Sequence, residues 1–145
     1  SPCAGKSTLV RFASLHLGAH LIEIDCLSIN SAQSSVDAMN NVVGFLRAKL
    51  EPLLPFTSPS IVFLSHLDSI VEKEGDQQDS GVSRLNRSLA LELAALMDFC
   101  SECGEGAIFV GSVKDAAKLP EAVLSKVQFV IDVPVPSEVQ RERIF

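Results

Sequence analysis

Short apolar segments alternate with longer segments of helical periodicity along this chain of 145 residues. Segment 21–25 alternates with period two, and segment 60–65 is a continuous apolar run, typical of a strand that is buried on both faces. The predicted strands are 21–25, 60–65, 107–111 and 128–133, and the predicted helices are 8–17, about 34–54, 84–103 and a last one from Ser137. Strands alternating with helices predict an α/β fold of three layers, a parallel sheet with helices on both faces.

Glycine, proline and acidic residues mark where these elements end. Gly18 follows the first helix as a natural C-cap, and Pro55 ends the second helix. The acidic stretch 72–82 contains glycine and glutamine and predicts an exposed loop before helix 84–103.

Composition and charge exclude several classes of function. Hydrophobic residues make up 47% and charged residues 21%, the balance of one packed domain. The net charge is −6, and residues 61–106 carry the excess with nine acids against three bases, so a nucleic-acid surface is not expected. No apolar run approaches the roughly 18 residues that span a bilayer, so direct membrane insertion is not expected.

Gly5-Lys6-Ser7, at the head of the first predicted helix, matches the end of the phosphate-binding pattern G-x-x-x-x-G-K-[ST]. The first glycine of that pattern would precede Ser1. Gly5 lets backbone amides face a phosphate, Lys6 would reach the β- and γ-phosphates, and the Ser7 hydroxyl would bind Mg²⁺. The predicted nucleotide-binding residues are Pro2, Cys3, Ala4, Gly5, Lys6, Ser7 and Thr8. The alternative is an ordinary helix start capped by a serine.

The buried strand 61–64 is followed by Ser65-His66-Leu67-Asp68-Ser69-Ile70. This stretch resembles the AAA+ ATPase motif, in which a hydrophobic strand is followed by D-E-x-D-[SA]-I. Ser65 stands where the resemblance places the Mg²⁺-binding carboxylate, and His66 stands where it places the catalytic glutamate. Asp68 is the one acid of the motif that is retained, so no catalytic residue is expected at 65 or 66.

The AAA+ resemblance covers nearly the whole chain. Ser-Pro-Cys-Ala-Gly-Lys-Ser is similar to the family's P-P-G-T-G-K-T, with Cys3 in place of a glycine. Further similar stretches are 18–24, 96–98, 119–122 and 133–144. The resemblance implies that residues 1–145 are a single large α/β subdomain. It also implies a fragment truncated at both ends, which lacks the family's first strand and its lid subdomain.

Three other sites depart from the family pattern. Lys114 occupies the position of the polar sensor, which is usually asparagine. Segment 124–133 contains no arginine where the family has arginine fingers, and Lys126 is its one cation. Segment 28–35, near the family's pore loop, contains no aromatic residue.

Segment 18–26 and the degenerate segment 64–68 most resemble the first ATPase domain of one of the peroxisome-biogenesis AAA+ ATPases. This resemblance implies a domain that binds ATP, holds Mg²⁺ weakly and hydrolyses little. The whole protein would be an ATP-driven motor that extracts the import receptor from the membrane. Its partners would be a second peroxisomal AAA+ subunit in a hetero-hexameric ring and a membrane anchor protein. Its location would be cytoplasmic, at the cytosolic face of the peroxisomal membrane.

Two alternatives remain open from the residues. One is a catalytically active domain of another two-ring unfoldase, in which His66 replaces the glutamate as the general base. The other is a nucleotide or metabolite kinase, because such enzymes also carry a phosphate-binding loop on an α/β sheet. That second alternative leaves Leu67-Asp68-Ser69-Ile70 unexplained.

Overall fold

The computed structural model describes residues 5–31, 59–70, 81–103 and 107–135, together with the single positions 44, 48, 52 and 137. Three sequence predictions lie largely or wholly outside these residues: the helix 34–54, most of the loop 72–82, and the last helix from Ser137.

The first helix, α1, spans Lys6–Leu17 and begins two residues earlier than predicted. It ends at Gly18, where φ is 62° and the glycine N–H donates to the Leu15 carbonyl (3.3 Å). A glycine adopts this left-handed conformation without the steric cost of a Cβ atom, so the predicted C-cap is confirmed.

Three parallel strands form the sheet: β1 (His20–Asp25), β2 (Ser60–Ser65) and β3 (Ala107–Gly111), in the order β1-β2-β3. The register pairs Ile22 with Val62, and Val62 with Phe109. All six residues of β2 are buried, as its continuous apolar run predicts. The parallel α/β architecture expected from the sequence is confirmed.

Within the described ranges, the other helices are α2 (Cys26–Ser31), α3 (Gly81–Cys103) and the single turn α4 (Glu121–Leu124), with 3₁₀ turns at Leu67–Ser69 and Ala116–Lys118. The helix α3 begins three residues before the predicted start. Gly81 and Val82 are therefore helical, which corrects the end of the predicted loop. The short helix α2 is absent from the sequence predictions.

The core lies between the sheet and one face of α3. Leu89, Leu93 and Leu96 occupy that face at helical spacing and pack with Val62 and Leu64 of the central strand. Leu93 and Leu96 are each only 1% exposed, so truncating either to alanine would cost about 2–5 kcal/mol. This packing fixes the carboxyl end of β2, where the degenerate motif begins.

The predicted strand at 128–133 is wrong. Segment 128–133 is irregular, and the side chains of Phe129, Val130 and Ile131 are 82%, 71% and 78% exposed. No described strand pairs with this segment. A strand needs a hydrogen-bonding neighbour for its backbone, so an apolar run alone does not produce one.

None of the helices in the described ranges combines the length and the apolar character that crossing a membrane requires.

Candidate functional site

The carboxyl ends of the three parallel strands meet at one edge of the sheet, the edge at which open α/β sheets bind ligands. Two groups of residues lie at this edge. We call Gly5–Thr8 together with Val113 the phosphate side. We call Asp25, Ser65 and His66 the strand-end cluster.

The phosphate side begins with an α1 N-terminus that carries no side-chain cap. Gly5 is the N-cap residue, with φ 79° and ψ 14°, and the first turn contains no acidic residue. The first bond of the helix runs from the Leu9 N–H to the Gly5 carbonyl (2.9 Å). The preceding N–H groups of the first turn have no acceptor within the helix, and the helix dipole adds partial positive charge there. This arrangement can bind an anion such as a phosphate.

Lys6 places a cation beside these amides. Its Nζ donates to the carbonyl of Val113 (2.7 Å), two residues beyond the end of β3, and the bond is partly buried. Ser7 is half-buried and Thr8 is exposed in the same turn. Pro2, Cys3 and Ala4 lie outside the described residues. The structure thus brings Gly5, Lys6, Ser7 and the β3 end together.

The strand-end cluster joins both degenerate positions to one carboxylate. The Ser65 Oγ donates to Asp25 Oδ1 (3.2 Å), and the His66 Nδ1 lies 3.0 Å from the same oxygen. Because a carboxylate only accepts, the proton of this bond belongs to Nδ1. The backbone N–H of Leu27 also donates to Asp25 Oδ1 (3.1 Å).

Hydrogen bonding also sets the charge of Asp25. Partial burial acts to raise the pKa of this carboxyl, but the hydrogen bonds from His66, Leu27 and Ser65 outweigh it and hold the pKa below its usual value. The next residue, Cys26, is fully buried, and burial together with the charges of Asp25 and Asp68 raises the pKa of its thiol to about 12. The Cys26 thiol is therefore protonated and unreactive at neutral pH.

Asp25 is a site residue that the sequence predictions missed. Its contact with His66 spans 41 positions along the chain, and it becomes visible only in the strand register that pairs Asp25 with Ser65. The available signal in the sequence was that each of the two predicted strands ends on a polar residue, Asp25 and Ser65.

Asp68 and Lys114 meet through the backbone. The Lys114 N–H donates to Asp68 Oδ2 (3.3 Å), so the retained acid of the motif supports the loop that follows β3. Both residues line a cavity of about 360 Å³, together with Leu27, His66 and Asp115 among others. Lys114 thus lies beside the degenerate motif, and its described contact is structural.

Lys126, the one cation of segment 124–133, is already engaged within the chain. Its Nζ lies 2.6 Å from Asp98 Oδ2 on α3. Segment 124–133 therefore presents no arginine and binds its one lysine to a neighbouring helix.

The residues at this edge fit nucleotide phosphates better than they fit Mg²⁺. The phosphate side supplies a cation and first-turn amides that have no acceptor within α1, whereas position 65 supplies a hydroxyl that donates a hydrogen bond to Asp25. Mg²⁺ prefers carboxylate oxygens, and the described part of the chain holds no group of three or more His, Cys, Asp or Glu residues that suits a metal ion.

Comparison with known proteins agrees with this geometry. Residues 1–135 match the model of the ATPase family associated with various cellular activities (AAA). The peroxisomal ATPase PEX6 of Saccharomyces cerevisiae is 45% identical over 97% of this chain, and PEX6 of Eremothecium gossypii is 43% identical over all of it. PEX6 of Kluyveromyces lactis is 41% identical, again over the whole chain.

The chain spans 14% of the length of each of these relatives. The resemblance to a peroxisome-biogenesis ATPase, seen in segments 18–26 and 64–68, is thereby confirmed, and the three-layer α/β fold follows from it. On the match over residues 1–135 and these identities, the chain belongs to the AAA family of ATPases.

Proposed function

We propose that this chain is a domain that binds ATP at the phosphate side of the sheet edge and hydrolyses it little or not at all. The observation that carries the proposal is the contrast between the two groups at that edge. Lys6 is a cation in the first turn of α1, whose N-terminus has no side-chain cap, whereas Ser65 and His66 bind Asp25.

In this proposal, nucleotide binding uses residues 2–8, at the phosphate side. The amides of the first turn and the Lys6 ammonium hold the phosphates, because charge-assisted hydrogen bonds are roughly twice as strong as neutral ones. The Ser7 hydroxyl is the ligand available to Mg²⁺, which supplies charge neutralisation when it is bound. With a serine at position 65, this metal is held weakly.

The strand-end cluster lacks the two acids that the family uses for hydrolysis, at positions 65 and 66. A positioned general base is worth roughly 10²- to 10⁴-fold, and an arginine finger about 10³- to 10⁵-fold. A base at His66 would need a firmly held Mg²⁺ and γ-phosphate beside it, and Ser65 supplies no carboxylate for that metal. Lys126 binds Asp98 and is therefore not placed to act as an arginine finger. The active-domain alternative, with His66 as the base, is therefore the weaker one. The kinase alternative conflicts with membership of the AAA family.

The whole protein is, in this proposal, a peroxisomal AAA ATPase whose hydrolysis takes place in another domain. The name of the relatives, peroxisomal ATPase, supports this setting. The remaining parts rest on the family resemblance: a hetero-hexameric ring with a second AAA+ subunit, a membrane anchor protein at the cytosolic face of the peroxisome, and extraction of the import receptor.

The test is a nucleotide titration of the full-length protein with a fluorescent ATP analogue. The variant Lys6→Ala should weaken binding at this site at least tenfold, about 1.4 kcal/mol, because it removes the cation aimed at the phosphates. The matched control Lys126→Ala removes a lysine bound to Asp98 instead, and its affinity should equal that of the wild type. Equal affinity in all three proteins would refute phosphate binding by Lys6.

A further inference from the structure

One carboxylate oxygen of Asp25 is the meeting point of three donors. Its Oδ1 accepts from the Leu27 N–H (3.1 Å) and the Ser65 Oγ (3.2 Å), and it lies 3.0 Å from the His66 Nδ1. The Asp25 backbone carbonyl accepts from the Ser28 Oγ as well (2.7 Å). Both degenerate positions of the motif and the first turn of α2 are thus bound to one residue at the end of β1.

The direction of these contacts matters because β2 lies between β1 and β3. Lys6 contacts Val113 beyond the end of β3, on one side of β2, and Asp25 lies on the other side. Neighbouring strands are about 4.8 Å apart, so roughly 10 Å of sheet separates the ends of β1 and β3. The contacts of Asp25 therefore turn the side chains of Ser65 and His66 towards β1, the strand farther from the Val113 carbonyl that Lys6 binds.

The backbone conformation of His66 also indicates that its surroundings hold this residue in place. Its φ of 53° and ψ of 44° lie in the left-handed region, which is unfavourable for a residue with a Cβ atom. Such a conformation persists only when the surroundings fix it. Here the His66 N–H donates to the Ser112 Oγ (3.2 Å) while the ring binds Asp25.

We propose that Asp25 is a positioning residue that holds Ser65 and His66 on the β1 side of the sheet, away from a phosphate bound at Lys6. The inference rests on the proposed function and deepens it. Hydrolysis is prevented by where these side chains are held as well as by their chemical type. Asp25 touches no nucleotide in this arrangement and acts only through its two neighbours.

The test is modification of histidines by diethylpyrocarbonate in the full-length protein, read peptide by peptide by mass spectrometry. The compared proteins are the wild type, Asp25→Ala and Glu23→Ala. Glu23 is the matched control because it is an acid on the same strand that binds Arg11 instead. His16 and His20 are internal standards within the same chain. The conservative variant Asp25→Asn keeps an acceptor oxygen.

Without nucleotide, Asp25→Ala should change the modification rate of His66 about threefold to fivefold, the scale expected for losing a half-exposed hydrogen bond that orients the ring. Asp25→Asn should lie between this variant and the wild type, and Glu23→Ala should equal the wild type. A non-hydrolysable ATP analogue should leave His66 modification unchanged in the wild type. It should slow modification in Asp25→Ala, because the released ring can reach the phosphate side.

Two results would overturn the inference: equal His66 rates in the wild type, Asp25→Ala and Asp25→Asn, or protection of His66 by the analogue in the wild type. If the titration finds no nucleotide binding, the proposed function fails, and the nucleotide-free rates still decide where His66 is held. If Asp25→Ala does not fold, the rates of Asp25→Asn provide the comparison.

Discussion

The phosphate side and the strand-end cluster share one edge of the sheet but retain different amounts of the family pattern. The phosphate side keeps the glycine, the lysine and the hydroxyl of its motif, and Lys6 binds the β3 end directly. The strand-end cluster keeps neither acid at 65 and 66, and its charge comes from Asp25 on the neighbouring strand. In the proposed function, binding and hydrolysis depend on different strand ends, so a domain could lose hydrolysis and keep binding.

The largest effect is expected when an acid is returned to the end of β2, which tests the contrast between the two groups. Ser65 is buried, and its Oγ lies 3.2 Å from Asp25 Oδ1, so Ser65→Asp would bring two carboxylates together. We expect a loss of about 2–4 kcal/mol in the stability of this domain, because like charges at that distance cannot both remain ionised cheaply. Thermal unfolding of the full-length protein without nucleotide measures the effect.

The controls for Ser65→Asp separate charge from size. Ser65→Asn adds the same volume without a charge and should cost less than Ser65→Asp. The double variant Ser65→Asp with Asp25→Asn should recover part of the loss, because it removes one of the two carboxylates. Equal losses for Ser65→Asp and Ser65→Asn would show that Asp25 does not control this position.

The elements that the sequence predicts correctly are those whose signal is local. The continuous apolar run of β2 and the Gly18 C-cap of α1 need no knowledge of distant residues, and both are confirmed. Segment 128–133 has an equally apolar run, but it forms no strand because a strand also needs a neighbour. The sequence shows the run and not the pairing.

In the candidate site, too, the local part is predictable from the sequence and the part that depends on strand pairing is not. The glycine, lysine and serine of the phosphate side are consecutive in sequence, so their juxtaposition is predictable. Asp25 and His66 are 41 positions apart and meet only through the parallel register of β1 and β2. The left-handed backbone of His66 is not predictable from the sequence either, because positive φ is uncommon in every residue other than glycine, histidine included.

A smaller test compares two truncations of His66. His66→Ala and His66→Gly both lose the ring and its bond to Asp25, and they differ only in the Cβ atom. The left-handed backbone penalises alanine by about 1–2 kcal/mol, and the greater unfolded-state entropy of glycine offsets part of that difference. We expect His66→Gly to be the more stable by about 1 kcal/mol in chemical denaturation. A more stable alanine variant would mean that the left-handed turn relaxes once the ring is gone.

The smallest effect concerns the pH dependence of stability. The hydrogen bonds of the strand-end cluster hold the pKa of Asp25 below its usual value in the folded chain. A lowered folded-state pKa contributes stability above the unfolded-state pKa, near 4, and this contribution is lost as the pH falls through the folded value. Asp25 and His66 are both about half exposed, with side-chain exposures of 50% and 46%, so solvent screening limits the contribution to about 0.5 kcal/mol or less.

Unfolding midpoints of the wild type and Asp25→Asn should therefore converge slightly as the pH is lowered from 6 towards about 3. Glu23→Gln provides the baseline for removing one acid from β1. Midpoints of the wild type and Asp25→Asn that stay parallel over this range would mean that the Asp25 charge adds nothing to the cluster and that its oxygen acts only as a neutral acceptor.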